Sequence, residues 1–138
     1  MKIEEHFKVA REFDSVLSKL DPEVDGLAVI EMLMMAGTNY MNAVLHANKI
    51  IPETDDLTHS YKPLPENWDD IVLPVPTQEL MTNMTFIEDA RKRFARGKTP
   101  DRDTPHFEEL SHGIVQECLK RYASIKEVVQ CVFARAAD

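Results

Sequence analysis

Glycine is scarce in this sequence: the 138 residues include four glycines, whereas prolines number eight. Two of the glycines fall inside segments with helical periodicity, and the prolines concentrate between such segments. The sequence contains no glycine-rich phosphate-binding loop, no nucleophile elbow, no paired CxxC motif and no H-E-x-x-H helix. The composition therefore favours long helices joined by stiff loops over a β-sandwich, and no common catalytic motif marks an enzyme.

Cysteine is also rare, and both cysteines, Cys118 and Cys131, belong to one predicted helix. Thirteen residues of helix would separate them by about 20 Å, which is too far for a disulfide bond. The first residues lack the apolar core of a signal peptide. The most apolar run is interrupted by Asn39, Asn42 and His46, which argues against a membrane span. We therefore expect a soluble cytoplasmic protein with reduced thiols.

Acidic residues outnumber basic ones by 24 to 16, which gives a formal net charge of −8 and a pI near 5.1. Such an acidic protein is not expected to bind nucleic acid in general, although a local basic surface is compatible with this charge. A chain of this length that is 43% hydrophobic can bury a core without disulfide or metal staples. We therefore expect a single α-helical domain over residues 1–138.

Apolar residues recur with a period near 3.6 in four segments, and this period is typical of amphipathic helices. Pro52 is expected to end the second helix, Thr77 to cap the third, and Gly97 to close it. Thr104-Pro105 is expected to start the last helix. The predicted helices span residues 3–20, 22–51, 78–96 and 105 onward. They predict an all-α, up-down four-helix bundle with two long helices.

Residues 27–51 are the most apolar stretch, and no side chain between Glu31 and Lys49 is charged if the histidine is neutral. A helix that is apolar nearly all round is expected at the centre of a bundle. One narrow polar seam follows its length, formed by Thr38, Asn39, Asn42 and His46.

Two interpretations of the polar seam stay open. Buried amides and imidazoles need hydrogen-bond partners, so the seam could fix helix register or bind the backbone of a neighbouring segment. Alternatively, it could line a ligand or catalytic pocket, or a dimer contact. The candidate polar pocket comprises Asn39, Asn42, His46 and, from the following connection, His59.

The connection between the second and third helices, residues 52–76, contains five prolines and is long for a compact domain. We call it the strap and expect it to pack along the bundle or to reach a partner. Asp55, Asp56 and His59 could join His46 in binding a divalent ion such as Zn²⁺ or Mn²⁺. Acidic loop residues are more commonly just solvated, so we predict no metal and no cofactor, with these residues as the candidates if an ion is present.

Basic residues cluster in residues 91–103, which carry six basic residues and two aspartates. Arg91, Arg93 and Arg96 are the candidate anion-binding residues, suited to a phosphate-bearing or other acidic ligand. Cations at the end of a helix also complement its dipole, and that role alone could explain the cluster.

Glu109 and His112 form the Glu-x-x-His pattern found in di-iron helical bundles. On the predicted last helix both side chains point away from the apolar stripe, and no second Glu-x-x-His occurs. We therefore expect these two residues to be solvated.

The four helices, the asparagine-rich central helix that ends in a histidine, and the basic end of the third helix resemble the small HEPN-type helical domains of prokaryotes. This resemblance covers architecture over most of the chain. It implies a domain that dimerises and is nucleotide-associated or ribonucleolytic. The ribonuclease signature of that family places four to six residues between an arginine and a histidine, whereas three separate Arg102 from His106. No catalytic residue is therefore carried over.

The sequence favours a binding or interaction protein that acts as a homodimer, with a small-molecule or phosphate-bearing ligand. The dimer is expected because the last helix carries apolar residues outside its main stripe: Val115, Leu119, Val128 and Phe133. The alternative is a metal-dependent or ribonucleolytic enzyme centred on His46 and the strap. Its catalytic residues are unknown from the sequence.

Overall fold

The computed structural model describes residues 1–58, 68–97 and 107–137, and these residues contain helices and no strand. The predicted all-α fold is confirmed. A short 3₁₀ turn, Trp68–Asp70, and a π-helical turn, Arg91–Ala95, accompany the four α-helices. The α-helices are α1 (Ile3–Leu17), α2 (Gly26–Ala47), α3 (Val75–Ala90) and α4 (His112–Ala137).

Helix α2 lies at the centre and packs against α1, α3 and α4. Thirteen of its 22 residues are buried, as expected for a helix that is apolar nearly all round. Ile30, Leu33 and Met41 are fully buried among them. Despite this apolar character, none of the described helices is long and apolar enough to cross a membrane.

Helix α2 ends at Ala47, four residues before the predicted end. Lys49 adopts the left-handed conformation, with φ of 56°. Its N–H bonds to the carbonyl of His46, and the N–H of Ile50 bonds to the carbonyl of Leu45. This pair of bonds is a Schellman motif, in which glycine or asparagine is the usual left-handed residue. The motif reverses the chain, so that residues 51–58 run back along α2.

Helix α3 begins at Val75, so the prediction that Thr77 caps it is wrong. Thr77 lies inside the first turn, is buried, and accepts a hydrogen bond from Asn48 Nδ2 at 3.0 Å. Pro76 occupies the start of the helix, where no N–H partner is needed. The π-helical turn follows, and Gly97 then takes a φ of 64°, the conformation expected of a closing glycine.

Helix α4 begins at His112, and the predicted start near residue 105 is wrong. Thr104 and Pro105 lie outside the described residues, but 107–111 are not helical. The N–H of Ile114 donates to Ser111, whose carbonyl lies at 3.2 Å and whose Oγ lies at 3.3 Å, as at a capped helix start. Glu109 therefore precedes the helix and His112 opens it; both are exposed, as expected, but they do not form a helical pair.

The apolar residues behind the dimer prediction have partners within the chain. Val115 and Val128 are buried in the core, and Leu119 and Phe133 pack against it. The described parts of the strap also contribute, since Leu57 is buried and Trp68 and Leu73 contact the core. The structure does not test the homodimer, but these residues no longer require one.

Candidate functional site

Three metal-ligating side chains from three parts of the chain meet beside the end of α2. His6 comes from α1, His46 from α2, and Asp56 from the segment that runs back along α2. The Nε2 atoms of His6 and His46 lie 2.9 Å and 2.8 Å from the same Asp56 oxygen, Oδ1. The three ligand atoms all lie within 4.8 Å of one another.

Asn39 orients the imidazole of His6. Its amide nitrogen donates to the carbonyl of Met35 at 2.8 Å, so its Oδ1 faces the histidine as an acceptor. The Nδ1 of His6 lies 2.9 Å from this oxygen. His6 is 3% exposed, which places the contact between α1 and α2 rather than on the surface.

Asn42 fixes the segment that carries Asp56. Its Nδ2 donates to the carbonyl of Leu57 at 2.8 Å, and its Oδ1 accepts the N–H of Leu57 at 2.7 Å. The same Nδ2 also contacts the carbonyl of Thr38 at 3.0 Å. Because Asp56 immediately precedes Leu57, this double hydrogen bond places the carboxylate over the histidines.

His46 is oriented by the backbone that follows its own helix. After the Schellman turn, the carbonyl of Ile51 lies 3.1 Å from His46 Nδ1. The side chain of His46 has no exposed area. Its ring centroid lies 5.3 Å from that of His6.

Both histidines are surrounded by hydrogen-bond acceptors. A carbonyl oxygen can only accept, so each Nδ1 must donate to it, and a neutral imidazole then has a lone pair at Nε2. Each Nε2 lone pair would face the lone pairs of Asp56 Oδ1, which is repulsive. Positive charge between these three atoms, from protons or from a bound cation, would remove this repulsion.

Asp56 supplies negative charge to this group. Partial burial opposes its ionisation, but without a metal ion the hydrogen bonds that both histidines donate when their Nε2 atoms carry protons, together with the terminal amino group, outweigh that effect. Together they hold the pKa of the Asp56 carboxyl below its usual range. The amino group of Met1 lies 3.1 Å from Oδ2, the oxygen that the histidines do not contact. The carboxylate is thus ionised at neutral pH and aimed at the two rings.

An open cavity of about 300 Å³ adjoins the three side chains. His6 and Asp56 reach its wall, whereas His46 lies behind them. The remaining wall combines the polar seam with apolar and basic side chains: Met1, Met34, Met35, Thr38, Asn39, Asn42, Leu57, Thr58 and Arg91. A group bound between the histidines and Asp56 would therefore face a space large enough for a small molecule.

Some of the residues predicted to form the pocket lie in this cluster, and others do not. Asn39, Asn42 and His46 lie on one side of α2 and share the cluster with Asp56. Asp55 is exposed, and its backbone N–H bonds to the carbonyl of Pro52. His59 lies outside the described residues, as do Arg102 and His106.

His6 was not among the residues predicted from the sequence to form the site. It lies three residues after Ile3 and four before Ala10, which are both on the apolar stripe of the first helix. Helical spacing places it on the same face. A histidine on the buried face of an amphipathic helix was the available signal, but its partners come from α2 and the strap and have no local signature.

The three candidate arginines divide between two carboxylates. The Nε atoms of Arg91 and Arg96 lie 3.0 Å and 3.2 Å from Glu31 on α2. Arg93 instead forms a two-pronged ion pair with Glu108. Of the three, Arg91 is the one that lines the cavity.

A second polar cluster joins α1, α2 and α4. The carboxylate of Asp14 accepts the hydroxyl of Tyr40 at 2.7 Å and also that of Tyr122. The ammonium group of Lys126 lies 3.4 Å away. Burial, followed by the hydrogen bond to Asp14, raises the pKa of both Tyr40 and Tyr122 above the ordinary tyrosine value. The cluster is a hydrogen-bonded link between helices, because its polar atoms satisfy one another.

No protein-family model, curated protein or solved structure matches the chain. Two imidazole nitrogens and one carboxylate oxygen suit first-row transition metals, whereas Mg²⁺ and Ca²⁺ prefer oxygen ligands throughout. Among the described residues, His6, His46 and Asp56 form the group whose donor atoms converge closely enough to hold such an ion.

Proposed function

We propose that the protein binds one divalent transition-metal ion through Nε2 of His6, Nε2 of His46 and Oδ1 of Asp56. The observation that supports this proposal is the fixed orientation of both imidazoles. Each Nδ1 donates to a held oxygen, from Asn39 in one case and Ile51 in the other, which leaves each Nε2 as a ligand. Metal-binding histidines in proteins are oriented in the same way by a carbonyl or carboxylate at the second ring nitrogen.

Charge favours an ion over two protons. Protons on both Nε2 atoms would make both rings cationic, with centroids 5.3 Å apart and both side chains buried. A divalent ion supplies the same charge at one point and leaves both rings neutral. The ionised Asp56 then offsets half of that charge.

The spacing of the ligand atoms is close to that of a metal site. Ligands at about 2.0–2.1 Å from a tetrahedral zinc ion lie about 3.3 Å apart. The nitrogen–oxygen distances here are 2.9 Å and 2.8 Å. Outward movement of Asp56 by about half an ångström would make room for the ion, and this side chain is one third exposed.

Three protein ligands are characteristic of a catalytic rather than a structural metal site, because they leave a position for water or substrate. The cavity beside His6 and Asp56 gives that position access to a small molecule. An ion held there would polarise a bound carbonyl group or make a bound water more acidic. We therefore favour the metal-dependent alternative over a protein whose role is confined to interaction.

Metal titration of the metal-free protein tests this proposal. We expect Zn²⁺, Mn²⁺ or Co²⁺ to bind with a stoichiometry of one, measured by calorimetry and by elemental analysis after desalting. His6→Ala, His46→Ala and Asp56→Asn should each weaken binding by about 100-fold or more, since each removes a ligand. His112→Ala and Asp55→Asn are matched controls, because they remove an exposed histidine and an exposed neighbouring carboxylate.

Circular dichroism must show that each variant remains folded, so that loss of binding is not loss of structure. The cobalt-loaded protein should also show visible absorption bands of low-coordinate Co²⁺ that disappear in the three ligand variants. Binding that is absent in the wild type, or equal in the wild type and all three variants, would refute the metal site.

A further inference from the structure

The π-helical turn at the end of α3 places two arginines on one side. Residues five apart in an α-helix point about 140° away from each other. In a π-helical turn the N–H of residue i+5 bonds to the carbonyl of residue i, so these residues stack. The N–H of Arg96 bonds to the carbonyl of Arg91 at 3.0 Å, and both side chains reach Glu31 on α2. Such turns are rare and frequently mark functional sites.

The resulting ion triad carries excess positive charge. Two guanidinium groups share the single carboxylate of Glu31, so one positive charge is not compensated within the triad. A guanidinium group has five N–H donors, and the described hydrogen bond of Arg91 uses Nε. Its side chain is 18% exposed, and Arg91 lines the cavity. Arg91 therefore offers donors to a ligand inside the cavity while Glu31 holds its position.

The cavity thus has positive charge at two places on its wall, besides the amino group of Met1 that pairs with Asp56 Oδ2. A divalent ion with Asp56 as its one anionic protein ligand carries a net charge of +1, and Arg91 supplies the other. Met34, Met35 and Leu57 line the space as apolar wall. The volume of about 300 Å³ is at the lower end for ligand sites, which limits the occupant to a small molecule.

We infer that this cavity binds a small organic anion whose carboxylate or phosphate group contacts Arg91 while another of its oxygens binds the metal. This inference rests on the metal centre proposed above. The carbon body lies against the methionines and Leu57. Carboxylate and phosphate both match the guanidinium fork, so Arg91 recognises a planar or tetrahedral anion by the same pair of donors.

A binding series tests the inference. The probes are straight-chain ω-hydroxy carboxylic acids of three to six carbons, the corresponding amides, and the corresponding phosphate monoesters. Each is titrated into zinc-loaded and metal-free protein. We expect one chain length to bind best, the zinc-loaded protein to bind it at least about tenfold more tightly than the metal-free protein, and the amide to bind about tenfold more weakly. The preferred anionic group identifies the ligand as a carboxylate or a phosphate.

Variants of the triad assign the anion contact. Arg91→Gln should weaken the preferred acid about tenfold or more without changing zinc affinity, and Arg91→Lys should restore part of the loss. Arg96→Gln is the matched control, because it removes the other arginine of the triad, which does not line the cavity. It should leave acid binding within about twofold of the wild type.

The failures of the two proposals are distinguishable. If zinc binds with a stoichiometry of one but acids bind no better than amides, or if Arg91→Gln binds them like the wild type, the anion inference is wrong and the metal centre stands. If zinc does not bind, the metal centre is wrong. Acid binding that depends on Arg91 but not on zinc would overturn the bridging arrangement.

Discussion

The side-chain amide of Asn42 pairs with both backbone polar groups of Leu57, at 2.8 Å and 2.7 Å. A single side chain of α2 thereby satisfies the backbone hydrogen bonds of Leu57 in the returning segment, as a neighbouring strand would in a sheet. Both residues are buried, so water cannot replace either bond. The adjacent Asp56 owes its position to this contact, although Asn42 itself does not contact the proposed ion.

Replacing Asn42 with alanine should destabilise the protein and weaken metal binding. The change leaves the N–H and carbonyl of Leu57 buried without partners, which costs about 2–4 kcal/mol in the free energy of unfolding. It should also lower metal affinity about 10- to 100-fold, as for other residues that support a ligand. Urea unfolding and calorimetry measure the two effects. Asn48→Ala is the control: it removes one half-buried bond to Thr77 and should leave metal affinity unchanged.

The left-handed residue at the end of α2 predicts a stabilising substitution. At its φ of 56°, the β-carbon of Lys49 is sterically strained, and glycine would avoid this strain because it has no β-carbon. We expect Lys49→Gly to raise the free energy of unfolding by about 1 kcal/mol and the melting temperature by about 3 °C. Lys49→Ala keeps the β-carbon and should give no such gain. Equal melting temperatures for the glycine and alanine variants would contradict the assignment of a Schellman turn.

A glycine in the middle of α2 should resist replacement. A β-carbon at Gly37 would lie 2.5 Å from the sulfur of Met84, which is fully buried on α3. Alanine normally improves a helix by about 1 kcal/mol. We expect Gly37→Ala instead to destabilise by about 1–3 kcal/mol, because the end of the Met84 side chain must repack inside a fully buried site. Gly113→Ala is the control, since the nearest atom to its β-carbon would be Ser111 Oγ at 3.9 Å. Urea unfolding measures both variants, and Gly113→Ala should leave the free energy of unfolding unchanged or raise it.

The two tyrosines bound to Asp14 predict a loss of stability in alkali. Their pKa values are raised in the folded protein, so the folded state keeps protons that the unfolded chain releases above about pH 10. The stabilisation is complete below that pH and falls as the pH rises further, by about 1.4 kcal/mol per pH unit for each tyrosine. Urea unfolding between pH 8 and pH 11.5 measures the slope. The double variant Tyr40→Phe, Tyr122→Phe should lose this part of the slope; an unchanged slope would show that other groups cause it.

The sequence was sufficient to predict the helices and the composition of one wall of the site. The charge-free stretch of α2 predicted a central helix, and the spacing of Asn39, Asn42 and His46 predicted one shared side. These are local properties, because helical periodicity alone decides which residues share a face. Asp56 was a candidate for another reason, because it is an acidic residue of the strap that could join His46 in binding a divalent ion.

What the sequence did not reveal depends on tertiary placement or on unusual helix ends. The left-handed position of the turn is occupied by Lys49, not by glycine or asparagine, so Pro52 was predicted to end α2. His6 becomes a site residue because α1 crosses the polar seam at Asn39, and no local pattern encodes that crossing. The arginines are clustered in the sequence, but they do not form one site in the structure. Arg91 and Arg96, at the two ends of the π-helical turn, both pair with Glu31, whereas Arg93 pairs with Glu108.

The attachment of α1 has a kinetic consequence. Its backbone packs against α2, whereas it reaches α4 through side chains, with Phe7 against Phe133 and Asp14 bound to Tyr122. Local opening of α1 would therefore leave α2, α3 and α4 packed together, as a partly unfolded state. Because His6 would leave with α1, the residence time of an ion should track the opening rate of this one helix, and amide hydrogen exchange in α1 should slow when the ion binds.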